Sequence, residues 1–153
     1  MVLPTKLQGV FLSNFVRIGG RLTFAPPLTA LVQTDATYNF RTRTSAVGAK
    51  LWAADGNAIY TRTWQTGFRT SSTEAEWISV LKGLEFAMDK EQDSVCIEND
   101  CLGVIHHLIT QTRMKPKYAY YYEEQIRERA NMIAWAGIRW IPREMNQADT
   151  LLR

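Results

Sequence analysis

The sequence predicts an α/β fold: a mixed sheet, with antiparallel hairpin strands and parallel strands, flanked by helices. Three observations predict it. Two β-prone runs meet at Asp55-Gly56-Asn57, a turn that favours a hairpin. After residue 71, strand-length apolar runs alternate with stretches of helical periodicity, which calls for parallel pairing. Two aspartates, Asp35 and Asp100, follow short apolar runs, where open α/β sheets bind ligands.

The elements follow in order. Residues 8–24 are expected to form a hairpin, with Val10, Phe11, Leu12, Phe15, Val16 and Ile18 before Gly19-Gly20 and Leu22 and Phe24 after it. Pro26-Pro27 interrupts the chain. Leu31 and Val32 open a short strand ending near Asp35. Val47 to Trp52 and Ala58 to Trp64 are the next two strands. Ser71-Ser72-Thr73-Glu74 is a capping box, with a helix behind it running to about Asp89. Trp77, Leu81, Leu84 and Met88 form its apolar stripe, widened by Val80 and Ala87. Ser94 to Glu98 is a strand, and a helix begins near Asp100 with Leu102, Ile105, Leu108 and Ile109 on it. After Pro116 a long helix is expected from about Ala119 to Ala136, ended by Gly137. Ile138 to Ile141 is the last strand, and a short helix starts near Asn146.

The 153 residues suit one domain, and 46% hydrophobic with 22% charged residues excludes a disordered chain. A net charge of +3 leans toward a polyanionic partner. Two cysteines, Cys96 and Cys101, make no disulfide framework and point to a reducing compartment. With no secretory pattern and no apolar run of about 20 residues, a cytoplasmic protein is expected. There is no internal repeat.

Four acids stand out. Asp35 and Asp100 sit at strand ends, although a turn residue and a helix N-cap are the ordinary readings of each. Glu76 lies in the first turn of its helix, aligned with Val80, Gly83 and Ala87 on the face toward the sheet, while Glu74 serves the capping box. Asp149, in Asn146-Gln147-Ala148-Asp149, would by itself read as a surface or first-turn acid.

The flanking segments resemble the ribonuclease H (type 1-like) family. Thr34-Asp35-Ala36-Thr37 resembles its first-strand motif. Ser71 to Trp77, with Gly83-Leu84-Glu85, resembles its first-helix motif, which selects Glu76 over Glu74. Ile97-Glu98-Asn99-Asp100, followed by Leu102 to Ile105, resembles its fourth-strand motif, and Trp140 to Glu144 leading to Ala148-Asp149-Thr150-Leu151 its last. The resemblance covers about residues 30–153 and leaves 1–29 as an N-terminal extension with a possible extra hairpin. The compact Asn146-x-Ala-Asp149 spacing is similar to the ribonuclease H domains of reverse-transcribing elements.

The resemblance implies a five-stranded mixed sheet and a metal-dependent endonuclease acting on the RNA strand of RNA·DNA hybrids. It implies two Mg²⁺ or Mn²⁺ ions that align the attacking water and the leaving 3′ oxygen. Asp35 and Asp100 would be the main ligands, Glu76 would hold one ion near the ribose 2′-OH, and Asp149 would complete the second site. Ser71 and Ser72 stand where family members contact the DNA strand, and helix capping explains them equally well. Asn39, Arg143 and Asn146 are further candidate substrate contacts.

The chain departs from the family in several places. The loop Pro142 to Gln147 has no histidine, which leaves Arg143 or Glu144 as stand-ins, and His106 and His107 read as ordinary helix residues. Tyr38 to Arg43 replaces a glycine-rich turn. Arg113, Lys115 and Lys117 are too few for a basic handle. Tyr118, Tyr120, Tyr121 and Tyr122 cannot share one helix face, and either pack or stack bases. Two alternatives remain: another nuclease of the fold, such as a junction resolvase or an exonuclease, and a non-cleaving nucleic-acid- or protein-binding domain. The Glu76 motif argues against the first. The intact acids argue against the second, since clustered negative charge facing phosphate gains a binding module nothing.

Overall fold

A computed structural model describes residues 11–12, 22–23, 28–69, 71–110 and 116–153. Its main sheet has five strands: β3 (Ala30–Asn39), β4 (Thr44–Trp52), β5 (Ile59–Phe68), β6 (Ser94–Asn99) and β7 (Trp135–Trp140). They lie in the order β5-β4-β3-β6-β7. β4 is antiparallel to β3 and β5, whereas β6 is parallel to β3 and β7 parallel to β6. Helix α1 (Ser72–Asp89) makes the first crossover, and α2 (Leu102–Thr110) with α3 (Lys117–Ala130) the second. Of the expected first hairpin, β1 (Phe11–Leu12) pairs antiparallel with β2 (Leu22–Thr23), and the rest lies outside the described residues. No helix among the described residues is long and apolar enough to cross a membrane.

Strand alternation gives the sheet two unlike faces. Val32, its partners Ile97 and Leu51, and Ile138 beside Ile97 are fully buried, forming with α1 the main core. The helix comes so close that a Cβ on Gly83 would lie 2.2 Å from Thr34 Cγ2. The opposite face carries the row Gln33, Glu98 and Arg139, all buried and adjacent in register. A 3₁₀ helix, Gln147–Leu152, covers that row.

Four expectations shift. β3 does not end near Asp35 but runs to Asn39, because β4 pairs it as far as Asn39↔Thr44. What ends beside Asp35 is the parallel ladder, at Thr34↔Asn99. The long helix stops at Ala130, not Ala136, since Ala134 and Trp135 both donate to Asp93 O, at 2.9 and 3.2 Å, and enter β7. Gly137 is therefore no helix terminator. It sits inside β7 under the Trp135 ring, where a Cβ would lie 2.2 Å from the ring. The cap position of α2 falls to Cys101, whose carbonyl accepts Ile105 N at 3.1 Å, so Asp100 is not its cap. The tyrosines divide: Tyr118 and Tyr122 pack against the core, while Tyr120 and Tyr121 are exposed.

Candidate active site

The sheet brings β3 and β6 side by side with Asp35 just past the last parallel pair, and the chain leaves β6 through Asp100. Ser71 starts α1 by accepting Glu74 N at 3.1 Å, which sets Glu76 in the first turns, over the same sheet end. One carboxylate oxygen from each of Asp35, Glu76 and Asp100 lies within 4.8 Å of the others. Asp149, on the last 3₁₀ helix, reaches Asp35 by a side-chain hydrogen bond. The four acids line one cleft of about 350 Å³, with Ser72 and Arg143 on its walls.

Burial, first, and the neighbouring Asp100 charge push the Asp35 carboxyl up to about 7. Burial likewise holds Glu76 well above the carboxylate range, reinforced by Asp35 and Asp100 and opposed by hydrogen bonds from Asn99 and Ser79. Asp100 is also raised by burial, with Arg143 and Asn146 working against the shift. Asp149 is lowered, chiefly by its ion pair with Arg153. Crowded carboxylates of this kind have a chemistry that suits a cation, whose charge would relieve their repulsion. The cluster's donors are all carboxylate oxygens, which fits hard ions such as Mg²⁺ or Mn²⁺.

The other sequence candidates separate. Ser72 borders the cleft, as does Arg143, whose side chain is 76% exposed and 3.8 Å from Asp149. Ser71 is the helix cap and shares a 3.2 Å hydrogen bond with the Tyr118 hydroxyl. Asn39 stands apart, its Oδ1 accepting Arg41 N and Thr42 N in the β3–β4 turn. Asn146 is only 4% exposed, and its amide is engaged inside the protein. Neither histidine nor Glu144 lines the cleft among the described residues. Sequence reasoning missed Asn99, Ser79 and Gln33, which brace the site from beneath. The signal for Asn99 was an amide closing the strand that Val95, Cys96 and Ile97 build, directly before Asp100.

A reverse transcriptase-like family model matches residues 33–152. The chain belongs to the reverse transcriptase-like family, in the ribonuclease H-like superfamily. Solved ribonuclease H structures share this fold. The chain is similar to ribonuclease H1 of the halophilic archaeon Halobacterium salinarum NRC-1 at a TM-score of 0.72 and 22% identity, over 81% of this chain and 93% of that one. The N-terminal ribonuclease H domain of Rv2228c from Mycobacterium tuberculosis, solved as a fusion with maltose-binding protein, gives 0.70 and 20%, over 81% and 90%. LC11 ribonuclease H1, in complex with an RNA/DNA hybrid, gives 0.69 and 20%, over 81% and 94%. No curated protein matches the chain. In this reverse transcriptase-like chain the matched span holds every acid of the cleft.

Proposed function

We propose that this protein is a metal-dependent endonuclease that hydrolyses the RNA strand of RNA·DNA hybrids, with residues 30–153 as its nuclease domain and 1–29 as an extension. The observation that carries the proposal is the convergence of Asp35, Glu76 and Asp100 from three elements to within 4.8 Å, in a ribonuclease H-like fold. Asp35, Glu76, Asp100 and Asp149 would hold two divalent ions. Bound there, the ions would supply Lewis-acid charge for an attacking water and a leaving 3′ oxygen.

The chain's own groups do the rest. Asp35, Glu76 and Asp100, raised by burial, would give up their protons to hold the cations. Burial of Asp35 and Glu76 lowers the local dielectric and strengthens every charge interaction at the scissile phosphate. Arg143, exposed at the rim, offers a cation to the backbone of an incoming strand, and Ser72 a hydroxyl. A hybrid is the favoured substrate because a fold relative is bound to one and because hybrids are read by shape and 2′-OH groups, which need no sequence-reading helix.

The experiment is end analysis. A hybrid whose RNA strand carries a 5′ label is incubated with Mg²⁺, with and without EDTA. Attack by water with departure of the 3′ oxygen leaves RNA fragments ending in 3′-hydroxyls, and EDTA stops their formation. Fragments ending in 2′,3′-cyclic phosphate would mean that the 2′-OH is the nucleophile, and would overturn the reading.

A further inference from the structure

The four acids come from four separate segments, and two buried asparagines connect them. Asn99, fully buried, closes β6. Its Nδ2 lies 3.1 Å from Thr34 O, 3.0 Å from Thr34 Oγ1 and 3.3 Å from Ser79 Oγ, and the Ser79 hydroxyl in turn faces Glu76 Oε1 at 3.3 Å. Its Oδ1 accepts Cys101 N at 2.8 Å and so holds the turn that carries Asp100. Asn146 donates from Nδ2 to the same Thr34 carbonyl at 2.8 Å. Its Oδ1 accepts Ala148 N at 3.1 Å, and its main-chain carbonyl accepts Asp149 N at 3.3 Å.

The Thr34 carbonyl is the meeting point. It belongs to the peptide unit whose nitrogen is that of Asp35, so holding it fixes the plane from which the Asp35 side chain departs. The parallel ladder stops at Thr34↔Asn99, and two side-chain amides converge on this oxygen, whose two lone pairs can accept both. Each acid is then tied to an asparagine: Asp35 through the shared carbonyl, Glu76 through Ser79 and the Asn99 amide, Asp100 through the turn that the Asn99 Oδ1 holds, and Asp149 through the Asn146 carbonyl.

We propose that Asn99 and Asn146 are positioning residues that set the spacing of the four carboxylates for divalent-cation binding through their shared hold on the Thr34 carbonyl. The proposal rests on the nuclease reading above. Crowded carboxylates repel one another, and Mg²⁺ demands near-octahedral geometry, so an unbraced cluster would have to contract each time it bound the ion. At 4% exposure Asn146 does not offer its amide to a substrate. Capping the last 3₁₀ helix needs only its Oδ1. The Nδ2 donor, which addresses the Thr34 main-chain carbonyl, has the bracing role.

The test uses Asn146→Ser and Asn99→Ser in the full chain. Serine keeps an acceptor for the cap but loses the donating amide. Mg²⁺ binding is measured calorimetrically without substrate, alongside KM for a hybrid at saturating Mg²⁺ and the thermal midpoint in EDTA. Both variants should bind Mg²⁺ about 10–100-fold more weakly, with KM unchanged and the EDTA midpoint of Asn146→Ser close to wild type. Mg²⁺ affinity within about twofold of wild type together with a raised KM would overturn the proposal in favour of substrate contact. A lowered EDTA midpoint with retained Mg²⁺ affinity would overturn it in favour of a purely structural role. Should Asn99→Ser not fold, Asn146→Ser decides alone. Wild-type protein that neither binds Mg²⁺ nor cuts hybrid would overturn the nuclease reading itself, which is a different result from any of these.

Discussion

Gln33 accepts the backbone N–H of Gln147 on its side-chain oxygen at 2.8 Å, joining β3 to the 3₁₀ helix that carries Asp149. The same Gln33 donates from Nε2 to Glu98 at 2.7 Å, and Glu98 takes the Arg139 guanidinium on its other oxygen, with Nε at 2.8 Å. Glu98 is fully buried and Arg139 4% exposed. Removing Arg139 leaves Glu98 buried without its guanidinium. Arg139→Met should cost about 3–5 kcal/mol, and adding Glu98→Leu should recover much of it. Urea denaturation of the single and double variants measures both numbers. A cost under about 1 kcal/mol for Arg139→Met would mean that the pair behaves like a surface bridge.

The two neighbouring glutamates of α1 should separate sharply. Glu74 accepts the Tyr122 hydroxyl at 3.0 Å and ties α1 to α3, while burial and this carboxylate push the tyrosine up to about 12. Glu76 lies two residues on, about 200° around the helix axis, and borders the cleft. Glu76→Gln should lower single-turnover cleavage of a hybrid by orders of magnitude at saturating Mg²⁺. Glu74→Gln, which keeps an oxygen for Tyr122, should cleave near the wild-type rate. The reverse pattern would place the wrong glutamate in the site.

Stability of the metal-free protein should fall as pH rises. Asp35 releases its proton near 3.8 when unfolded and at about 7 when folded, so the folded state holds the extra proton between those values. The stability this contributes is fully present below about pH 4 and is lost as pH rises through 7, at up to about 1.4 kcal/mol per pH unit. Glu76 and Asp100, also raised, add to the trend. Asp149, lowered, contributes stability that is lost only at lower pH. In EDTA, Asp35→Asn should be more stable than wild type at pH 7 and lose less between pH 5 and pH 7. Equal slopes for the two proteins would contradict the shift.

Close approach of α1 to the sheet gives a steric test. Gly83→Ala would put a methyl 2.2 Å from Thr34 Cγ2 and should destabilise by about 1–3 kcal/mol. Thr34→Ser removes that methyl and keeps the hydroxyl facing Asn99. The double variant should therefore regain most of the loss in thermal melts, whereas additive losses would show that the contact is not the cause.

Periodicity and turn chemistry made much of this fold legible. The Ser71 cap, the stripe of α1 and the Asp55-Gly56-Asn57 turn need only neighbours in sequence to be recognised. Element ends depended on distant partners. β3 continues past Asp35 because Thr44 lies across from Asn39, and Gly137 resembles a helix stop until its pairing with Cys96 is known. In the site, the spacing of motifs picked out the acids that the cleft brings together. The residues beneath them were hidden, because Gln33 meets Gln147 across 114 positions and Asn146 meets Thr34 across 112. A side chain's burial, which separates an internal brace such as Asn146 from a substrate contact, is a property of the folded chain alone.

Hydrolysis of hybrid RNA by this carboxylate cluster can be read in a single assay. Four substrates of one sequence, RNA·DNA hybrid, double-stranded RNA, double-stranded DNA and single-stranded RNA, are incubated with wild-type protein and Asp100→Asn in Mg²⁺, Mn²⁺ or EDTA. Wild type should cut only the RNA strand of the hybrid, only with a divalent ion, and Asp100→Asn should fold but be inactive. Cleavage that persists in EDTA, equal cutting of double-stranded DNA, or a fully active Asp100→Asn would contradict the proposed function.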